Sequence, residues 1–253
     1  MGRFDERVAF LTGAGRGIGA ATAKTLADQG AAVAIADLDV GPAEETAAEI
    51  RAAGGRAIAL QVDVTKTDNV EGAVGRTVEE FGHLDILVAC AGLLRDNLLF
   101  KMTDEDWDAV IDTHLKGSFL AARATQKYMV EQNYGKMVFI SSTSALGNRG
   151  QANYSSAKAG LQALARTLAI ELGKFGVNVN AVAPGFIETR MTRATAERQK
   201  IDFEKMKADA IERIPLRRVG QPQDVANVIA FLVSDESSYV SGQTIYVAGG
   251  PRG

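Results

Sequence analysis

The stretch VAFLTGAGRGIG, residues 8–19, decides the fold of this chain. It begins as an apolar run of strand type, passes through closely spaced glycines and leads into a helical pattern that extends to Gln29. Glycines in such a turn let the backbone approach a phosphate, to which the helix N-terminus offers N–H donors. Ile18 breaks the strict Gly-x-Gly-x-x-Gly spacing, so the motif alone is also compatible with a plain tight turn.

Apolar runs and helical patterns alternate through the rest of the chain, which favours a phosphate-binding turn over a plain one. Strands are predicted at 8–11, 32–36, 57–62, 84–89, 136–140, 177–182 and 244–247, and helices at 17–29, 42–53, 69–81, 103–133 (with a break) and from Tyr154 to about Phe175. Because the strands are apolar throughout, we expect one α/β domain over residues 1–253, a doubly wound, seven-stranded parallel sheet with helices on both faces. The polar segment 189–213 is a candidate mobile lid.

Bulk composition excludes several classes of protein. The 253 residues are 46% hydrophobic and 23% charged, as in ordinary globular proteins, and a net charge of −3 gives no reason to expect nucleic acid. The only cysteine is Cys90, which rules out an intramolecular disulfide and a cysteine-rich metal site, and we predict no metal. No apolar run is long enough to span a bilayer and no signal-type core follows the start, so we predict a cytoplasmic protein without a membrane partner.

The glycine loop at the first strand-to-helix junction predicts a dinucleotide site, and Asp37 refines that prediction. It ends the second predicted strand, where a carboxylate hydrogen-bonds the adenosine ribose hydroxyls and repels a 2′-phosphate. Arg16 favours the opposite choice, since a guanidinium there can hold that phosphate. We predict NAD(H) as the preferred cofactor, with NADP(H) as the alternative; a plain turn residue is the other interpretation of Asp37.

Tyr154 and Lys158 are four residues apart, so on a helix they share one face. An ammonium beside a phenol favours the phenolate and makes its proton easier to move. Such a tyrosine is a general acid/base for an alcohol or a ketone. A lone pair with this spacing is more often a solvated helix face, so the interpretation depends on the cofactor site.

Taken in order, the motifs of this chain resemble those of the classical short-chain dehydrogenase/reductase family. They are the glycine loop 12–19, Asp63-Val64, Ala91-Gly92, Ser141-Ser142, Tyr154-x-x-x-Lys158 and Pro184-Gly185. The resemblance covers essentially the whole chain and implies a Rossmann sheet, hydride transfer to or from nicotinamide and a homotetramer. The paired long helices and the tail 241–253 are the segments that we expect to meet other subunits.

The resemblance also implies roles for particular residues. Tyr154 is the acid/base, and Lys158 binds the nicotinamide ribose while lowering the pKa of the tyrosine. Asp63 and Val64 hold the adenine, and Ile187 and Thr189 reach the carboxamide. The remaining cofactor contacts are expected from Gly13, Gly15, Arg16, Gly17, Ile18, Gly19, Asp37, Cys90, Ala91, Gly92, Pro184 and Gly185.

Three positions depart from the family pattern. Cys90 and His114 stand where asparagine is usual. We interpret Cys90 as a small buried hydrophobe, and His114 as the member of the proton relay that holds a water, with a helix histidine satisfied by backbone as the alternative. Counting forward from the fifth strand makes Ser142 the catalytic serine, whereas counting back from Tyr154 gives Ser141; we favour Ser142 on strand register.

The segments 147–154 and 184–189 look most like those of 3-oxoacyl-(acyl-carrier-protein) reductases. An acidic carrier protein needs a basic rim, to which we expect Arg123, Lys127, Arg149 and Lys174 to contribute. Phe175 stands where those reductases often have a basic residue, so a CoA thioester or a free ketone or alcohol, such as a steroid or polyol, stays open. The alternative class, a dinucleotide-binding sensor without catalysis, rests on Cys90 and His114 alone.

Overall fold

The glycine loop lies at the centre of a parallel sheet. The computed structural model describes residues 2–251, and strand β1 (Val8–Thr12) is buried along its whole length between two neighbours. The other strands are β2 (Ala32–Asp37), β3 (Arg56–Gln61), β4 (Ile86–Ala89), β5 (Gly135–Ile140), β6 (Val177–Pro184) and β7 (Thr244–Val247). Each predicted strand is confirmed to within two residues at either end.

All strand pairs in the sheet are parallel, and the order within residues 2–251 is β3-β2-β1-β4-β5-β6-β7. The chain therefore runs outward from β1 in one direction and restarts at β4 in the other. Where strand order reverses, the loops at the carboxyl ends of β1 and β4 separate and leave a crevice. The glycine loop and the segment after β4 both open onto it.

Helices cover both faces of the sheet, which confirms the doubly wound architecture. They are α1 (Gly17–Asp28), α2 (Val40–Ala52), α3 (Thr67–Phe81), α4 (Asp104–Ile111), α5 (Gly117–Glu131), α6 (Ala152–Leu172), α7 (Arg190–Gln199), α8 (Phe203–Arg213) and α9 (Pro222–Leu232). One face buries small apolar side chains of α1, α2 and α9, and the other those of α3, α5 and α6. Burial of apolar surface on both sides is what holds the sheet rigid beneath the crevice.

The predicted break between residues 103 and 133 is a π-helical segment, Asp112–Lys116, between α4 and α5. Thr103 caps the first of these helices by accepting a hydrogen bond from the N–H of Asp106. Short π segments inside α-helices are frequent at functional sites. This one carries His114 to a buried position near the crevice.

Two parts of the fold were not predicted. Helix α9 follows Gln221 with proline at its first position and Asp224 capping its N-terminus, a clear start signal that the sequence interpretation overlooked. The segment 189–213 contains helices α7 and α8, whose buried residues are Ala196 and Ala210 respectively. Of the predicted subunit-contacting tail, residues 252 and 253 lie outside the described part. No helix within residues 2–251 is long and apolar enough to span a membrane.

Candidate active site

The glycine loop needs glycine for space as well as for conformation. Gly13 and Gly17 have φ of +60° and +59°, and a Cβ on Gly13 would lie 2.5 Å from the Cα of Ala91. A Cβ on Gly19 would lie 2.5 Å from the carbonyl oxygen of Gly13. The loop therefore packs tightly on the end of β4 and on itself, and Ile18 packs against the core beneath it.

Helix α1 begins at this loop with its N–H groups unclaimed by side chains. Arg16 occupies the N-cap without a side-chain hydrogen bond, and no acidic residue lies in the first turn. An uncapped helix N-terminus carries partial positive charge and N–H donors that suit a phosphate. The loop and helix thus fit the pyrophosphate of a dinucleotide.

Two carboxylates stand beside the loop at the end of β2. Oδ2 of Asp37 accepts a hydrogen bond of 3.0 Å from the N–H of Gly15, and its Oδ1 accepts one of 3.2 Å from the N–H of Asp39. Arg16 donates to Asp39 across 3.0 Å. The guanidinium that favoured a 2′-phosphate is therefore paired with a carboxylate, which leaves net negative charge where that phosphate would lie.

The predicted adenine contacts lie one strand further along the sheet. Asp63 accepts hydrogen bonds at Oδ1 from the hydroxyl and the N–H of Thr65, at 2.7 and 2.9 Å. The hydroxyl bond is the main cause that holds the pKa of Asp63 below its ordinary value. Val64 is buried against Gly117, which has no room for a Cβ beside it. The carboxylate stays charged and the valine fixes the loop that carries it.

After β4, Cys90 packs against the core. Burial raises the pKa of its thiol to about 12, although the positive charge of Lys158 acts to lower it. The N–H of Ala91 reaches the hydroxyl of Thr12 at 3.4 Å. A Cβ on Gly92 would overlap the imidazole of His114 at 2.2 Å. Cys90 is partly buried, and a thiol kept protonated behaves as a small apolar side chain.

The segment that follows β6 faces the glycine loop across the crevice. Gly185 follows Pro184, and its N–H donates to the carbonyl of Val247. Ile187 is buried, and Thr189 caps α7. A Cβ on Gly17 would lie 3.8 Å from the methyl of Thr189, so the segment after β6 comes close to the glycine loop.

Ser141 and Ser142 have different surroundings. The hydroxyl of Ser141 is buried, donates to the carbonyl of Lys158 at 2.8 Å and accepts from Gln162 at 3.1 Å. Ser142 is partly exposed, and its hydroxyl accepts from the N–H of Ser144 at 3.1 Å. It lies close enough to the phenol of Tyr154 to lower the pKa of that group. The geometry leaves Ser142 as the serine that faces Tyr154.

Tyr154 and Lys158 lie in the first two turns of α6, with the ammonium 5.4 Å from the centre of the phenol ring. Lys158 is buried and donates to the carbonyl of Ile140 at the end of β5. Burial raises the pKa of Tyr154 to about 12, although the nearby Ser142 hydroxyl opposes the rise, and burial lowers the pKa of Lys158 to about 7. The expected lowering of the tyrosine pKa is therefore wrong for the protein groups alone, because burial penalises both charges.

His114 lies edge-on to Tyr154, with 5.1 Å between ring centres. Its Nε2 is 2.8 Å from the carbonyl oxygen and 3.1 Å from the nitrogen of Leu93. Burial first, and then the charge of Lys158, hold the pKa of His114 well below its ordinary value. The ring is thus neutral, and its Nδ1 is buried without a hydrogen-bond partner among residues 2–251.

A segment that the sequence interpretation missed, residues 93–97, closes the site above Tyr154; we call it the 93–97 wall. The side chain of Asn153 donates to the carbonyl of Arg95 at 2.9 Å, and Gln151 donates to Asp96 at 3.1 Å. The N–H of Asn97 donates to the carbonyl of Gly150. Charged and amide side chains in a loop at the carboxyl end of a strand were the available signal.

Comparisons with known proteins identify relatives of this chain over nearly its whole length. A family model described as enoyl-(acyl carrier protein) reductase matches residues 13–251. The short-chain reductase protein NovJ of Streptomyces niveus is 44% identical over 97% of this chain and 94% of its own. The (2S)-[(R)-hydroxy(phenyl)methyl]succinyl-CoA dehydrogenase subunit BbsD of Thauera aromatica is 42% identical over 97% and 96%. The 3-oxoacyl-[acyl-carrier-protein] reductase FabG of Staphylococcus epidermidis is 43% identical over 97% and 98%.

Proposed function

The chain belongs to the short-chain dehydrogenase/reductase family of nicotinamide-dependent oxidoreductases, and we propose that it is an NAD(H)-dependent reductase of 3-oxoacyl thioesters. The observation that carries the proposal is the hydroxyl pair of Ser142 and Tyr154, which lies beside Lys158 at the carboxyl end of the sheet. Two adjacent hydroxyls bind one carbonyl oxygen and can transfer one proton to it.

In the proposed reaction, Ser142 donates a hydrogen bond to the ketone oxygen and Tyr154 supplies the proton. When bound, a nicotinamide cofactor would supply a hydride for the carbonyl carbon. As negative charge develops on the oxygen, the phenol proton moves to it and the ketone becomes a secondary alcohol. Oxidation of the alcohol is the same path reversed.

The raised pKa of Tyr154 supports the reductive direction. With its pKa near 12, the phenol is fully protonated at neutral pH and ready to act as an acid. A developing alkoxide is a stronger base than a phenolate, so the transfer from Tyr154 is downhill. Oxidation needs the phenolate, which this buried site disfavours.

Lys158 and His114 are proposed to return the proton to Tyr154. The lysine pKa near 7 lets the ammonium give up a proton at physiological pH. His114 would act as a neutral ring: Nε2–H donates to the carbonyl of Leu93, which leaves Nδ1 as an acceptor for a water. This retains the relay role of His114 without requiring the imidazolium.

The preference for NAD(H) is supported by the charges beside the glycine loop. Asp37 and Asp39 offer two carboxylates, and Arg16 is engaged by the second of them. A 2′-phosphate would meet like charge there, whereas ribose hydroxyls would find acceptors. NADP(H) remains the alternative that the assay below measures directly.

The thioester class is supported by the resemblance to FabG, whose name gives a carrier-protein substrate, and to BbsD, whose name gives a CoA thioester. Of the four rim residues, Arg149 is exposed in the loop before Tyr154, whereas Arg123 is 3.7 Å from Glu71. We favour a CoA or acyl-carrier thioester over a free steroid or polyol, with residues 189–213 as the lid over it.

We also propose a homotetramer. The long helices α4, α5 and α6 expose the large apolar side chains Trp107, Phe119 and Ile170, which association would cover. Light scattering that gives a monomer would contradict this assembly.

The deciding experiment is a substrate panel with both cofactors. Oxidation of NADH and NADPH is followed with acetoacetyl-CoA, acetoacetyl-acyl-carrier protein, a steroid ketone and small ketones. The expected result is turnover of the thioesters with a higher kcat/KM for NADH. Binding of NADH without turnover of any ketone would favour the sensor and reject the enzyme, and a higher kcat/KM with NADPH would reject the cofactor preference.

A further inference from the structure

The side chain of Asn153, the residue before Tyr154, is completely buried. Its Nδ2 donates to the carbonyl oxygen of Arg95 at 2.9 Å and to that of Asp106 at 3.0 Å. Its Oδ1 accepts from the N–H of Tyr154 at 2.8 Å. Both amide hydrogens are therefore used, and a buried amide bonded at both ends is held in one orientation. One side chain thus joins three backbone segments at the start of α6.

The first of these segments is the 93–97 wall, which is tied to Tyr154 from two sides. Asn153 holds the wall at Arg95. At the other end of the wall, the N–H and the carbonyl oxygen of Leu93 lie 3.1 and 2.8 Å from Nε2 of His114. The imidazole stands edge-on to the phenol ring, with 5.1 Å between ring centres. The contacts therefore form a closed circuit that begins and ends at the tyrosine.

The second segment is α4, which leads into the π-helical segment that carries His114. Asp106 lies in the first turn of α4, and the π-helical segment Asp112–Lys116 follows that helix directly. Because a short helix moves as a rigid element, a bond to the carbonyl of Asp106 restrains where the imidazole lies. Asn153 therefore restrains His114 twice, through the 93–97 wall and through α4.

The third segment is the first turn of α6 itself. The N–H groups of a first turn have no partner within their own helix, and Oδ1 of Asn153 satisfies that of Tyr154. This bond orients the amide relative to the backbone that carries the phenol. The three hydrogen bonds of Asn153 are thus all to backbone, and together they hold Tyr154 and His114 in one frame.

We propose that Asn153 is a positioning residue that sets the separation and the angle between the phenol of Tyr154 and the imidazole of His114, and with them the path by which a proton returns to the phenol. This inference deepens the proposed function and rests on it. Asn153 acts through the backbone that it holds and takes no part in the proton transfers. A misplacement of reacting groups by about 1 Å can lower a rate by about 10²-fold, so the role should be visible in kcat.

Asn153→Asp tests this role. The substitution nearly keeps the shape of the side chain and an acceptor for the N–H of Tyr154, but it removes both amide hydrogens. Carboxyl oxygens then face the carbonyls of Arg95 and Asp106, so we expect the 93–97 wall and α4 to move away. With acetoacetyl-CoA and NADH, kcat should fall by about 10–100-fold. The ratio of kcat in H2O to kcat in D2O should rise, because proton transfer in a misaligned site becomes rate-limiting.

The dissociation constant of NADH, measured by fluorescence titration, should change by less than about threefold in Asn153→Asp, or about 0.7 kcal/mol. Asn153→Ala is the second variant, since it removes all three hydrogen bonds without placing a carboxyl group in the buried site. It should show the same rise in the solvent isotope effect and a fall in kcat of at least about tenfold. If Asn153→Asp does not fold, Asn153→Ala decides the question.

Asn180→Asp is the matched control. Asn180 lies on β6, is also completely buried, donates to the carbonyl of Val240 at 2.8 Å and accepts from the N–H of Gln243 at 3.0 Å. The substitution therefore removes a buried amide donor in the same way, but one that holds neither the 93–97 wall nor α4. We expect a loss of stability in chemical denaturation comparable to that of Asn153→Asp, with kcat and the solvent isotope effect unchanged.

The outcomes separate the two proposals. If the wild type reduces no ketone of the substrate panel, the proposed function fails and this inference falls with it. If ketones are reduced but the Asn153 variants keep the wild-type kcat, only the inference is overturned. The same holds if kcat falls while the solvent isotope effect stays at its wild-type value, because Asn153 would then be needed for stability and not for the proton path.

Discussion

Two sides of the candidate active site are held together by different kinds of contact. We call the glycine-loop side the backbone wall and the side of Tyr154 the side-chain wall. On the glycine-loop side the contacts are made by backbone: Gly13 packs on Ala91, and the N-terminus of α1 is left open. On the side of Tyr154 the contacts are side chains that join distant parts of the chain, such as Asp96 with Arg198. The backbone wall suits a cofactor that never changes, whereas the side-chain wall can be altered residue by residue to suit a substrate.

The largest expected effect comes from a substitution in the side-chain wall that leaves the backbone wall unchanged. Tyr154→Phe removes the proposed proton donor but keeps the ring that packs against His114. We expect kcat to fall by about 10²–10⁴-fold, the usual contribution of a general acid. The dissociation constant of NADH, followed by fluorescence titration, should change by less than about threefold. That ratio corresponds to about 0.7 kcal/mol of binding free energy.

Tyr239→Phe is the matched control, since that tyrosine is fully exposed and removed from the site. Its kcat should equal that of the wild type. If Tyr154→Phe kept more than a tenth of the activity, Tyr154 would not be the general acid. The side-chain wall would then not supply the proton.

The converse prediction breaks the backbone wall. Alanine at Gly13 would place a Cβ 2.5 Å from the Cα of Ala91 with φ at +60°, so the loop or the end of β4 must shift. We expect the free energy of unfolding to fall by about 2–4 kcal/mol and NADH binding to weaken at least about tenfold. Chemical denaturation and the same fluorescence titration measure the two effects.

Gly72→Ala on α3 is the control for Gly13→Ala. A Cβ there meets nothing within 4 Å, and the residue lies inside a helix. Alanine should therefore stabilise the protein by about 0.5–1 kcal/mol and leave NADH binding unchanged. Equal effects of the two substitutions would mean that the loop has room to spare and is not shaped for a close approach.

The contrast also explains what the sequence could predict. The fold followed from local signals: buried strands are apolar runs, and glycines mark the turn at the end of β1. The glycine loop could be predicted residue by residue because it is one short segment of the sequence. Helix α9 carries equally local signals, a proline at N1 and Asp224 in its first turn.

The substrate side could not be predicted in the same way. Asp96 and Arg198 are 102 positions apart, and nothing in either segment specifies the other. Strand register favoured Ser142 over Ser141 from the sequence alone. The direction in which the pKa of Tyr154 shifts depends on burial, which the spacing of residues in the sequence does not reveal. Long-range polar contacts and desolvation are properties of the folded chain, so only the structure provides them.

The smallest expected effect tests that desolvation directly. Burial lowers the pKa of Lys158 from 10.5 to about 7, so between pH 7 and 10 the unfolded chain binds a proton there that the folded chain does not. Stability must then rise with pH in this window, by at most about 1.4 kcal/mol per unit. We expect a gain of about 2 kcal/mol from pH 7 to 10, because relaxation reduces the penalty of a buried charge.

Lys158→Met nearly keeps the length of the side chain and removes the titration, so over the same window its stability should rise by about 2 kcal/mol less than that of the wild type. Two other groups titrate in this window: the raised pKa of Cys90 lowers stability above about pH 9, and the lowered pKa of Lys136 raises it. Both are present in the wild type and in Lys158→Met, so the difference between the two proteins reports Lys158. Tyr154 lowers stability only as pH rises above 10, and His114 titrates below the window.

Lys127→Met, at an exposed position on α5, should retain the wild-type slope. If the slope survives in Lys158→Met, the lysine is not desolvated, and the side-chain wall is wetter than its burial implies.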